Sequence, residues 1–161
     1  MEKRVSERAL MMEIKKILFP VDFSDSSSQV ADYVLYLIEK FEALLYVVHV
    51  LECLAPVSGF FVPHASIETL EEDLQRQALK KMEDFVHERL KNCEGTVNLV
   101  IKGIPHVEII KMARENSIDL IVMGTHGWTG PPHVIFGSVA ERVVRTAPCP
   151  VMTVRIKQPD E

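Results

Sequence analysis

Between an apolar run and an amphipathic segment, the stretch Gly124-Thr125-His126-Gly127-Trp128-Thr129-Gly130-Pro131-Pro132-His133-Val134-Ile135-Phe136-Gly137-Ser138 spaces its residues as G-x2-G-x9-G-S. Glycines let a backbone approach a ligand closely, and a helix that starts at such a loop presents unpaired N–H groups at the positive end of its dipole. Together these features suit a phosphate. Glycines also punctuate ordinary turns, so the pattern carries weight through its combination and its place between a strand and a helix. Ser138 reads as the N-cap of that helix, its hydroxyl pointing to an incoming anion together with the N–H groups of Ser138 and Val139.

A second group stands near the start of the chain. In open parallel sheets ligands bind beyond the carboxyl ends of the strands, where strand order reverses. The ends of the first and fourth strands flank that crevice, which sets Pro20-Val21-Asp22 opposite Met123-Gly124. Asp22 could accept a hydrogen bond from a ribose hydroxyl or an adenine amino group; it is equally suited to a turn or helix cap, and both readings stand. His49 lies in an apolar strand and reads as a satisfied core histidine. His126 and His133 share no helix-face spacing with a carboxylate, so no metal site is expected there. Cys149, between two prolines, reads as a small buried hydrophobe. Neither G-x-x-x-x-G-K-[ST] nor a first-turn G-x-G-x-x-G is present, so neither a P-loop NTPase nor a dinucleotide enzyme is indicated. The third strand ends at Lys102-Gly103 without the Asp of a phosphoryl-accepting receiver.

Positioning these groups requires a sheet, and from Lys15 onward short β-branched runs alternate with longer amphipathic segments, the pattern of repeated βα units. Five strands are expected: Ile17 to Val21, Leu44 to Leu51, Thr96 to Ile101, Ile118 to Met123 and Val151 to Ile156. The second is nearly all apolar, as a parallel strand covered on both faces should be. Ser24 or Asp25 can cap a first helix through Val30, Val34, Leu37 and Ile38. A long helix carries Ile67, Leu70, Leu74, Ala78, Met82, Phe85 and Leu90 on one face, with Glu68, Glu71, Glu72 and Asp73 expected in its first turns. Pro105 suits the start of the next helix, Val107 to Glu115, and the last helix spans Ser138 to Arg145. The piece Val57 to Pro63 reads as a lid, a partner surface or a plain loop.

The 161 residues fit one domain at 15–157 behind an N-terminal extension at 1–14. A net charge of -5 with scattered basic residues argues against a sequence-independent grip on nucleic acid. Cys53, Cys93 and Cys149 form no C-x-x-C pair, and three cysteines suit a reducing compartment, so a cytoplasmic protein is expected. No apolar run approaches the ~20 residues of a membrane span.

Gly124-Thr125-His126-Gly127, then Gly137-Ser138-Val139-Ala140-Glu141-Arg142-Val143 and Ala147-Pro148-Cys149-Pro150-Val151, resemble the universal stress protein family. Lys16-Ile17-Leu18-Phe19-Pro20-Val21-Asp22-Phe23-Ser24 is similar to its first strand and Gly103-Ile104-Pro105-His106 to its third, so the likeness covers about Lys15 to Lys157. It implies an α/β fold: a single doubly wound domain with a five-stranded parallel sheet, strand order 3-2-1-4-5, and helices on both faces. It also implies the ATP-binding subgroup. Pro20, Val21 and Asp22 would then line the adenosine, Val50 would meet the adenine through its backbone, and Met123, Gly124, Gly127, Gly137, Ser138 and Val139 would surround ribose and phosphates. The expected ligand is ATP, with Mg or Mn as companion and ADP or AMP as alternatives. A homodimer through the last strand and regulatory protein partners are further implications of the likeness. Trp128 and Pro131-Pro132 depart from the basic or polar residues usual in that loop. The reading is a nucleotide-dependent regulatory module. A slow ATP hydrolase, and a dimerising scaffold with a vestigial pocket, are the alternatives.

Overall fold

A computed structural model describes residues 13–52, 64–91, 93, 95–125 and 137–155. Strands and helices alternate along it as β1 (Lys16–Pro20), α1 (Asp25–Phe41), β2 (Leu44–Leu51), α2 (His64–Arg89), β3 (Val97–Lys102), α3 (Pro105–Glu115), β4 (Leu120–Gly124), α4 (Ser138–Thr146) and β5 (Val151–Val154). The strands form one five-stranded sheet in the order β3-β2-β1-β4-β5, and every neighbouring pair is parallel.

β1 sits at the centre, and its composition explains why. Ile17, Leu18 and Phe19 are at most 1% exposed, so consecutive side chains are covered on opposite faces, as a central parallel strand demands. Ile17, Phe19 and Val21 pack with Val30, Ala31 and Val34 of α1 and with Met82 and Phe85 of α2. Leu18 points the other way, into Ile109, Met112 and Ala113 of α3 and Ala140 and Val143 of α4. Alternation in β4 divides likewise, Leu120 and Val122 to the first layer and Ile121 and Met123 to the second. Fully burying one such side chain stabilises the fold by about 1.5–3 kcal/mol, so the strand cannot slip by one residue without exposing its apolar set.

Local sequence sets where the helices begin. Ser24 is the N-cap of α1, its hydroxyl accepting from Ser27 N–H, and Glu42 closes that helix in the left-handed region at φ 52. α2 begins at His64, earlier than its apolar spacing suggests, so Glu68, Glu71, Glu72 and Asp73 fall beyond the first turn and not at the dipole end expected for them. Pro105 opens α3, where its missing N–H is no loss. Before it, Gly103 takes φ 155, a backbone conformation that L side chains rarely adopt, so glycine suits this turn. Strand bounds differ from the sequence reading at their ends. β1 and β4 stop at Pro20 and Gly124, β3 runs Val97–Lys102, and β5 spans only Val151–Val154 among the described residues.

Candidate functional site at the β1–β4 switch point

Two halves of the sheet part at the point where strand order reverses. β1 and β4 are paired only at Ile17↔Leu120 and Leu18↔Ile121. Beyond that, β1 stays with β2 as far as Pro20↔Val48 and a Val21 N–H to Val48 O bond of 2.8 Å. β4 stays with β5 as far as Gly124↔Val154 and a Thr125 N–H to Val154 O bond of 3.1 Å. The crevice therefore opens between Pro20-Val21-Asp22 on one side and Met123-Gly124 on the other, the two groups the sequence sets opposite each other. α1 leaves from one lip and α4 from the other, each on its own face of the sheet.

On the β4 side, Thr125 is buried and its carbonyl accepts the Gly137 N–H at 2.7 Å. That bond clasps the chain where it departs from β4 to where it returns, and so brings the start of α4 to the strand end. It also changes two expectations. Gly137, with φ -69 and ψ 158, is itself the N-cap of α4, without a side-chain cap, and Ser138 is the first helical residue, exposed and not capping. The Gly137 N–H is engaged with Thr125 and is no donor to a ligand. The donors left open among the described residues are those of the next three residues, in the first turn of α4. The first bond into the helix is Glu141 N–H to Gly137 O at 3.0 Å, and among the described residues no acceptor meets the N–H of Ser138, Val139 or Ala140. Three amides at a helix start suit an anion.

On the β1 side, Asp22 organises its own turn. Its Oδ1 accepts from the Ser24 N–H at 3.0 Å, the Ser24 hydroxyl and the Ser27 hydroxyl at 2.6 Å, while its N–H donates to Ser27 Oγ at 3.2 Å. The turn-and-cap reading of Asp22 thus holds in the structure. Val21 and Met123 are each 6% exposed, their side chains packed into the two cores on opposite faces of the sheet.

Val50 lies where β2 outruns β1. Backbone N–H and C=O of one strand residue point to the same side, and the side alternates. Val48 O faces β1, where it takes Val21 N–H, and Leu51 O faces the other way, where it takes Gly103 N–H at 2.9 Å. Val50 therefore turns its N–H and C=O toward β1, which has already ended at Pro20.

His49, half-buried, is satisfied as expected, and its partner places it at this site: Nδ1 lies 2.8 Å from Val21 O. Burial pushes the imidazole pKa below 6.5, with Lys81 acting in the same direction and the Val21 bond and Asp22 opposing. Phe23, at φ 62, stands beside it with ring centroids 4.3 Å apart and touches Phe85 at 6.0 Å. Sequence reasoning passes over Phe23 and Thr125, since nothing in residue type marks a left-handed phenylalanine or a carbonyl clasp. Cys149 is half-buried, and burial, then Asp119, raise its thiol pKa, as for an inert hydrophobe. Gly127, Trp128, Pro131, Pro132, His126, His133 and the stretch Val57 to Pro63 lie outside the described residues. Among the described residues no cluster of three His, Cys, Asp or Glu side chains could hold a metal ion, and no helix is long and apolar enough to cross a membrane.

Comparison with known proteins agrees with this architecture. The model of the universal stress protein family matches residues 13–155. Universal stress protein MJ0531 of Methanocaldococcus jannaschii is 35% identical over 144 residues, covering 88% of this chain and 82% of that protein. The solved structure of MJ0577, from the same archaeon, superposes with a TM-score of 0.75 at 29% identity, covering 90% of this chain and 98% of its own. A universal stress protein from Archaeoglobus fulgidus, solved in complex with dAMP, superposes with a TM-score of 0.53 at 25% identity, covering 89% of this chain and 98% of its own.

Proposed function

The chain belongs to the universal stress protein family, and from that membership we propose that it is an adenine-nucleotide-binding member whose occupancy by ATP regulates protein partners. The observation that carries this reading is the switch-point crevice with backbone donors on both lips: the outward edge of Val50 and the three unengaged amides of α4. A base at Val50 and phosphates at Ser138 and Val139 place the ribose between Asp22 and Gly124. Pro20 and Val21 then line the adenosine, and Met123, Gly124, Gly127, Gly137, Ser138 and Val139 surround ribose and phosphates. Gly137 contributes by lacking a side chain and holding the turn, since its amide is bound to Thr125. The dAMP complex of the Archaeoglobus fulgidus relative supports an adenine nucleotide. ATP with Mg or Mn is the proposed form, with ADP and AMP as weaker ligands that lack part of the phosphate contact.

Binding, and not turnover, is the output in this proposal. Asp22 already takes three donors on Oδ1, an arrangement that fixes a turn and does not resemble a base poised over water. Trp128 lies within the glycine-rich loop and is the chain's single tryptophan. Fluorescence titration of that residue with ATP, ADP and AMP, paired with calorimetry, tests the proposal. Saturable binding in the order ATP over ADP over AMP is expected. Absence of both a fluorescence change and heat would overturn it in favour of a dimerising scaffold.

A further inference from the structure

We propose that His49 and Phe23 are positioning residues that hold the backbone edge of Val50 open for the adenine base, an inference that rests on the nucleotide reading above. In a parallel ladder the rung from Val21 N–H to Val48 O is followed by one from Val50 N–H to Val21 O and another from Phe23 N–H to Val50 O. The first of these three is present at 2.8 Å; the other two are absent among the described residues. Both would-be partners of Val50 have been drawn away. The Val21 carbonyl lies 2.8 Å from His49 Nδ1, and a carbonyl can only accept, so Nδ1 holds the proton. The chain then turns out of the sheet at Phe23, whose φ of 62 is a genuine outlier for a bulky residue.

Such strain persists only where surrounding structure enforces it. Here the Phe23 ring is held between His49 at 4.3 Å and Phe85 at 6.0 Å, and Phe85 is in turn in contact with Phe19 of the core at 6.1 Å. Ser24 follows as the cap of α1 with its N–H on Asp22 Oδ1, which fixes the far side of the turn. One imidazole therefore ends the ladder and supports the ring that bends the chain away. What remains is a donor and an acceptor side by side on Val50. Adenine offers the complement, an acceptor at N1 and a donor at N6. In the same pose guanine offers the reverse at N1 and O6 and is rejected, because polar groups on both sides would go unpaired.

The experiment compares wild type, His49→Phe and His49→Asn. Phenylalanine keeps the ring stack but removes the donor, whereas Asn places an amide N–H near the position of Nδ1. In nucleotide-free H49F the Val50 N–H should close onto Val21 O, and its hydrogen exchange should slow at least ~10-fold. Preference for AMP over GMP, read by calorimetry, should fall about tenfold, the loss expected for one net hydrogen bond, and H49N should restore most of it. A merely structural role would weaken AMP and GMP together and leave Val50 exchange unchanged, which would overturn the proposal. If H49F does not fold, the nitrogen NMR spectrum of wild-type His49 decides instead: a proton on Nδ1 is expected, and a proton on Nε2 alone overturns the proposal. A wild type that binds neither nucleotide overturns the nucleotide reading itself, whereas binding with unaltered preference in H49F overturns only the role given to His49.

Discussion

His49 should make the protein sensitive to mild acid. Its pKa is lowered chiefly by burial, so in the window between the folded pKa and the unfolded value of 6.5 the unfolded chain binds more protons than the folded one. Stability from this group is fully present above 6.5 and is lost as pH falls through 6.5 toward the folded pKa. Urea midpoints measured from about pH 8 down to about pH 5 should hold level and then decline, and the decline should be shallower in H49F. An identical decline in the variant would assign it to other groups. Asp22 belongs to the same scale. Its residue type told of a turn or of a ligand equally, and only the convergence of Ser24 and Ser27 on Oδ1 reveals the turn it builds. Side-chain hydrogen bonds of this kind depend on rotamers and on neighbours two to five residues away, which composition does not encode.

At the level of elements, the start of α4 offers a clean separation of stability from anion binding. Ser138 is the first helical residue, a position that proline favours, and Gly137 before it has the extended φ -69 and ψ 158 that a residue preceding proline adopts. Ser138→Pro should leave helix content by circular dichroism unchanged while deleting one of the three unengaged N–H groups. ATP affinity should fall about tenfold and adenosine affinity should stay the same. Unchanged ATP affinity would remove Ser138 N–H from the phosphate contact. The glycine spacing announced this helix start correctly. It assigned the cap to Ser138, one residue late, because Ser is the commoner cap and the clasp from Thr125 O to Gly137 N–H is a contact across the loop.

For the molecule as a whole, β5 is an edge strand at one side of the sheet and β3 at the other. β3 ends in Lys102, paired with Glu71, and charge at an edge discourages further pairing. β5 carries Val151, Met152, Thr153 and Val154. Pro150 O and Val154 O accept from Ile121 and Thr125, so even-numbered positions face β4 and Thr153 turns its N–H outward. We propose that this edge joins two copies into a homodimer. Thr153→Pro removes an outward N–H without touching the ladder to β4 and should convert a dimer to a monomer in sedimentation velocity, with thermal stability of the monomer retained. A dimer that survives the substitution would place the contact elsewhere.

The order of strands and helices and the crevice between Pro20-Val21-Asp22 and Met123-Gly124 were legible from the chain alone, because hydrophobic period, glycine spacing and caps are local signals that neighbouring residues enforce together. What waited for the tertiary structure is which amides stay unengaged. Gly137 N–H is engaged, and among the described residues Ser138, Val139 and Ala140 are not; Val50 loses its ladder partners to an imidazole and to a left-handed Phe23. A hydrogen bond is satisfied or left open by what lies across the fold, and that is decided by three-dimensional neighbours far apart in the chain.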